Sequence, residues 1–153
     1  MADIPEATGD CVPDMSETMP SSRFTPLEEG AVVRDEYMQL EWQRCAIGMD
    51  WDGTTCSGTT PTNYIWQEAM DTWETATWRL PTIHELVSIV EKCRTNPAIN
   101  TQVFPNTPMA WFWSSSPYAG LANHAWGISF LSGRGGWRNQ HLTSAVRLVR
   151  DAP

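Results

Sequence analysis

Lysine occurs once in this 153-residue chain, at Lys92, and all Lys and Arg together number ten against 18 acids, for a net charge of -8. A chain of that balance lacks the basic excess that general nucleic-acid or anionic-membrane binders rely on. No stretch approaches the roughly 20 apolar residues of a membrane span, so membrane insertion is not expected. The opening Met1-Ala-Asp-Ile-Pro has neither a basic n-region nor an apolar h-region, so it supplies no export leader. No C-x-x-C pair is present, which excludes zinc ribbons and thioredoxin-like redox sites. A glycine-rich phosphate loop and a nucleophile elbow are missing too. His124 and His141 have no nearby cysteine or carboxylate to complete a tetrahedral set, so neither metal nor cofactor is expected.

What is present points outward from the cytoplasm. Four cysteines, Cys11, Cys45, Cys56 and Cys93, allow three pairings. Cys45 with Cys56 is favoured, because it closes a short loop around the turn-forming Asp52-Gly53, leaving Cys11 with Cys93 to tether the N-terminal region. Each bond is worth roughly 2 to 4 kcal/mol, mostly by restricting the unfolded chain, and needs an oxidising compartment. The alternative is four reduced, buried thiols. Disulfides imply an extracellular, cell-surface or periplasmic location, and a leader ahead of a mature sequence to which Met1 is an added initiator. Nine tryptophans supply large apolar area, each with an N–H that needs a partner.

The acids are unevenly placed: residues 1–91 carry -13 and residues 92–153 carry +5. Ion pairs between the two parts are the expected outcome, with a basic surface near the C-terminus as the alternative. Residues 1–29 hold seven acids and four prolines (Pro5, Pro13, Pro20, Pro26), the composition of an extended arm that wraps or links. A single recognition domain is expected over 30–153. Ala31 to Arg34 and Met38 to Gln43 form a hairpin pattern around Asp35-Glu36. Trp66, Ala69, Met70 and Trp73 fall at helical spacing, in a helix starting near Thr62 or Asn63. Thr82 and Glu85 form a capping box behind Pro81, opening a second helix as far as about Lys92. Residues 96–108 form a loop. Trp111 with Trp113, and Trp126 with Ile128 and Phe130, mark strands through alternation, separated from Trp137 by a glycine-rich turn at 132–136. Residues 145–150 form a largely buried last strand, in which a buried Arg147 or Arg150 needs a carboxylate or several carbonyls. Arg79 is expected to form an ion pair between helix and sheet. The tryptophans at 66, 73, 78, 111, 113 and 126 are assigned to the core.

Trp78-Arg79-Leu80-Pro81-Thr82, Phe112-Trp113-Ser114-Ser115, Ala125-Trp126 and Val146-Arg147-Leu148-Val149-Arg150 together resemble the Lcl C-terminal-like domain of bacterial surface and secreted proteins. Trp42-Gln43-Arg44-Cys45, Asn96-Pro97-Ala98-Ile99-Asn100 and Phe104-Pro105 extend the likeness over about residues 30–150. The resemblance implies an α+β domain of C-type lectin-like fold, in a branch related to formylglycine-generating enzymes, with two helices, twisted antiparallel sheets and long loops. It does not imply their oxidase chemistry, since no cysteine follows Cys93. Thr95-Asn96-Pro97 and Trp137-Arg138-Asn139 are too poor in carboxylates for the calcium motifs of lectins. Residues 116–150 also resemble the diversified segment of variable proteins made by diversity-generating retroelements, where a fixed framework alternates with changeable positions.

That pattern implies a ligand-binding set of Leu121, Asn123, His124, Ser129, Leu131, Arg134, Trp137, Arg138, Gln140, His141 and Leu142, with Gly127 also among the changeable positions. The expected function is non-enzymatic: an adhesin-like or receptor-binding module that presents loops between about Gly120 and Ser144 to a cell-surface protein or glycan. Arg134 and Arg138 are expected to favour acidic glycans. The alternatives are an enzyme of the related fold using His84, Glu85 or the two later histidines, and a structural assembly domain of a surface protein, able to form oligomers.

Overall fold

The computed structural model describes residues 3–6, 11–59 and 64–153. Alternating apolar residues build a four-stranded antiparallel sheet from β1 (Phe24–Leu27), β2 (Val32–Asp35), β3 (Leu40–Gln43) and β9 (Val149–Asp151), in the order β1-β2-β3-β9. Val33 pairs with Trp42, and Trp42 with Val149, so one row of the sheet delivers three fully buried side chains to the core. The neighbouring row carries charge: Arg34 opposes Glu41, which opposes Arg150. Both guanidinium groups bond the Glu41 carboxylate, at 2.8 Å each. Burial by itself would raise the Glu41 pKa, but these bonds outweigh it and hold the carboxyl below its ordinary value.

A second sheet, β6 (Trp111–Pro117), β7 (His124–Ser129) and β8 (Arg134–Asn139), packs Phe112, Ile128 and the following Phe130 against the first. Between the sheets lie β4 (Asp50–Trp51) and β5 (Cys56–Ser57), a short ribbon, followed by α1 (Trp66–Trp73) and α2 (Ile83–Val87). Two helices and antiparallel sheets make this an α+β fold. The expected start of α1 at 62–63 lies outside the described residues, but its stripe is as read: Ala69 is buried and Trp66, Met70 and Trp73 pack on a second cluster with Leu80, Trp113, Ala125, Val146 and Leu148.

The capping box of α2 forms with both halves in place: the Glu85 N–H donates to Thr82 Oγ1, and the Thr82 N–H to Glu85 Oε1. The helix nevertheless ends at Val87, five residues short of Lys92. Ser88 donates its hydroxyl to the Glu85 carbonyl, competing with continuation of the helix. Beyond it, Glu91 is drawn to another segment: its carboxylate accepts from the Thr18 N–H, the Thr18 hydroxyl and the Met19 N–H at 2.7–2.8 Å. Glu91 is thus fully buried, and among the described residues no ion pair engages it. Burial opposes its ionisation, and the hydrogen bonds from Thr18, Met19 and Cys93 overcome that and lower its pKa.

The arm is more integrated than its composition suggests. Phe24–Leu27 is an edge strand, and Met19 and Ile4 belong to the core. Pro26 is accommodated at the edge position, where one backbone side has no ladder partner. Cys11 pairs with Cys93 and Cys45 with Cys56, the favoured pairing. Residues 145–149 are all buried as expected, though only Val149–Asp151 counts as strand. Within them Arg147 is buried. Its guanidinium donates to the carbonyls of Gln43 and Arg44 and to Thr107 Oγ1, and stacks 4.7 Å from the Phe104 ring centroid. With carbonyls in place of a carboxylate, desolvation pushes its pKa down to about 9.

Candidate functional site

The second sheet positions the candidate residues. Because β7 and β8 pair in register from His124↔Asn139 to Ser129↔Arg134, the hairpin has two ends separated by six residue pairs. At about 3.4 Å per residue, Arg134 and Asn139 lie roughly 17 Å apart along β8. Ser129, Leu131 and Arg134 sit at the turn end. Leu121, Asn123, His124, Gln140, His141 and Leu142 gather at the open end. The set read from the sequence is therefore divided by the hairpin, because proximity along a strand is not proximity across a surface.

The open end is tied by backbone and amide bonds. The Gln140 N–H donates to the Asn123 carbonyl, the Gln140 side-chain amide to the His124 carbonyl, and the Trp66 N–H to the Gln140 carbonyl. Gln140 is half-buried and holds the two loops together. His124 Nδ1 lies 2.8 Å from the Ala122 carbonyl, and His141 is exposed. Leu121 and Leu142 are about half exposed.

Alternation sends neighbours on β8 to opposite faces. On one face, Trp137 is 52 % exposed and lies parallel to Tyr118, with ring centroids 4.6 Å apart and 7° between planes. Trp126, opposite Trp137 in the ladder, meets both rings edge to face at 5.1 and 5.8 Å. The three rings form a continuous aromatic cluster. Tyr118 was not singled out by sequence reasoning, and Trp126 was assigned to the core but is half-buried in this cluster; its place opposite Trp137 in the ladder was the available signal. Trp113 is fully buried as expected, with its indole N–H donating to the Tyr64 carbonyl, and Trp111 is half-buried.

On the other face Arg138 is engaged. Its guanidinium stacks 4.9 Å from the Trp111 ring centroid, and it donates to Ser144 Oγ and the Thr143 carbonyl. Burial lowers its pKa. The expected basic pair of Arg134 and Arg138 is thus reduced to an exposed Arg134, with Arg138 acting as a clamp on the 143–144 segment. Gly127 is not a freely changeable position either: a Cβ there would lie 2.7 Å from the Phe112 carbonyl oxygen.

The chain matches the model of the Lcl C-terminal domain over residues 31–150, most of its length. It belongs to the Lcl C-terminal domain family. No curated protein matches the chain. In this Lcl C-terminal domain the strands from β2 to β8 fall inside the matched region and β9 ends one residue beyond it, whereas β1 and Cys11 precede it. The groups considered for catalysis are differently engaged. Glu85 binds Arg79 through two bonds of 2.7 and 2.8 Å as well as closing the capping box, and Arg79 also reaches Asp151. Burial of Glu85 works against its charge, but Arg79 and the Thr82 N–H hold its pKa below the ordinary value. Arg79 thus links α2 to β9, the ion-pair role expected of it.

Proposed function

We propose that this domain is an extracellular or surface-displayed recognition module of C-type lectin-like fold, which binds a protein or glycan through the Tyr118–Trp126–Trp137 face and the adjoining loops at 118–124 and 139–143. The observation that carries this reading is the half-exposed Trp137, held flat against Tyr118 by Trp126. A large exposed indole costs free energy in water, and preorganising it removes most of the ordering entropy on binding. Aromatic groups so held are the commonest hot spots of protein interfaces. They also suit the apolar faces of sugar rings. Asn123, His124, Asn139 and His141 add polar groups at the rim.

Two disulfides support an oxidising compartment. Within the described residues no helix is long and apolar enough to cross a membrane. Retroelement diversification fits the exposed positions Leu121, Asn123, Trp137, His141 and Leu142 better than Gly127, Arg138 or Gln140, whose contacts hold the hairpin. A glycan and cell-surface protein array probed with wild type and Trp137→Ala tests the reading. A signal lost in the variant supports it; equal signals contradict it.

A further inference from the structure

A second aromatic cleft lies away from that face and shares no residue with it. Its lining includes Trp51 and Trp78, the apolar Ala31, Val32 and Ala46, and the acidic Glu28 and Asp50; its volume is about 240 Å³. Among the described residues no lysine, arginine or histidine lines it.

The local structure fixes the Trp51 indole. Trp51 donates its Nε1–H to the Glu29 carbonyl at 3.1 Å, and Gly30, at φ +96°, lets the chain pass so close that a Cβ there would lie 2.9 Å from the ring. The Cys45–Cys56 disulfide and the β4–β5 ribbon fix the strand that carries Trp51. Arg44 stacks 4.2 Å from the Trp51 ring centroid and lines the neighbouring cleft, with Gly30, Gly53 and Gln102, but not this one. Arg150 stacks at 4.2 Å on Trp78 and lines a third cleft with Thr75 and Asp151, again not this one. Neither guanidinium lines the cleft, and Arg150 reaches its edge only through Glu28.

Two acidic residues, Glu28 and Asp50, line the cleft. Glu28 gives one oxygen to Arg150 at 2.7 Å. Asp50 is exposed, and its carboxylate has no hydrogen-bond or ion-pair partner among the described residues. Indoles combined with an unpaired carboxylate are the chemistry that recognises an alkylated ammonium group, whose charge is spread over methyl surfaces. At this volume the cleft is below the size of pockets that hold drug-sized ligands, and suits a head group.

We infer that the Trp51–Trp78 cleft binds a small organic cation, of the quaternary or methylated ammonium class. Cation stacking on the indole faces supplies the affinity, and Asp50, with Glu28, supplies the selectivity for charge. The test is a fluorescence titration of the intact, oxidised protein with choline, with its neutral isostere 3,3-dimethylbutanol, and with methyl glucoside. Saturable binding of choline at least about tenfold tighter than the isostere is expected from the cation–π and carboxylate contributions. Asp50→Asn, at an exposed position of β4, is expected to weaken choline about fivefold at unchanged melting temperature. Trp51→Leu is expected to abolish saturation, with its melt recorded as a control on folding. Equal binding of choline and the isostere, preference for the glucoside, no saturation by any probe, or full choline affinity in folded Asp50→Asn would each overturn the inference. Binding of the array ligand to the Trp137 face is unaffected by any of these outcomes.

Discussion

At the scale of single residues, exposure separates side chains that hold the fold from those available to a partner. Trp137 and Arg147 show the two extremes. Trp137 makes ring contacts worth about 1 kcal/mol beyond burial, so Trp137→Ala is expected to lower stability by no more than roughly 1–2 kcal/mol while removing the centre of the aromatic face. Arg147 is buried with a forked set of carbonyl acceptors. Lysine cannot reproduce that fork. Arg147→Lys is expected to cost about 3 kcal/mol in urea unfolding, from lost charge-assisted bonds and an acceptor left unpaired. A cost below about 1 kcal/mol would mean that the guanidinium does not hold the 43–44 and 107 segments together.

Motifs with local chemistry were legible at this scale. The Thr82–Glu85 box and the cysteine pairing around Asp52-Gly53 depend on neighbours in sequence, and the structure has both. Arg138 was not legible as a clamp, because its partners Trp111 and Ser144 meet it only after β6, β7 and the 143–144 segment assemble. Tyr118 was missed for the same reason: it lies in a turn after Pro117, and nothing local says that Trp137 will stack on it.

At the scale of elements, the arm was the least legible. Acids and prolines are the composition of an extended arm, yet the segment contributes an edge strand and a buried methionine. Tertiary bonds decide this. Thr18 and Met19 donate three hydrogen bonds to the single carboxylate of Glu91, and the Val12 N–H bonds the Cys93 carbonyl beside the disulfide. The early end of α2 belongs to the same event, since the chain must leave the helix to present Glu91 to the arm. Glu91→Gln is expected to destabilise by about 2 kcal/mol, because an amide offers one acceptor where the carboxylate offers two and brings an N–H without a partner. Faster amide hydrogen exchange at Thr18, Met19 and Cys93 would locate the effect; exchange rates equal to wild type would count against the latch. Removing the Cys11–Cys93 bond with Cys11→Ser and Cys93→Ser is expected to cost roughly 3–5 kcal/mol, given the 82 residues it spans.

At the scale of the whole molecule, the charge asymmetry resolves inside the fold. Arg150 pairs with Glu28 and Glu41, and Arg94 with Glu17. The excess base of residues 92–153 thus neutralises part of the acid of residues 1–91. Glu41, Glu85 and Glu91 all have folded pKa values below the ordinary one. For a carboxylate shifted down, the stabilisation is complete above the unfolded pKa and is lost as pH falls through the folded value. Urea stability is therefore expected to be nearly level from pH 7 to about 5 and to decline below about 4.5, with a shallower acid slope in Glu91→Gln. A maximum at acid pH would contradict these assignments.

The family and the α+β class were legible because Trp-Arg-Leu-Pro-Thr, Phe-Trp-Ser-Ser and Val-Arg-Leu-Val-Arg bind to one another through buried contacts that constrain each residue type. The shape of the candidate site was not, since a hairpin folds a linear list into two ends and two faces. Its aromatic face is the part of the molecule on which the recognition reading rests. The most direct measurement is a titration of the partner captured on the array against wild type, Trp137→Ala and Arg134→Ala, each checked for an unchanged fold. Trp137→Ala is expected to weaken binding at least about tenfold and Arg134→Ala by less than about twofold, since Arg134 lies at the far end of the hairpin. The opposite ranking, or equal affinity in all three proteins, would contradict a binding face centred on Trp137.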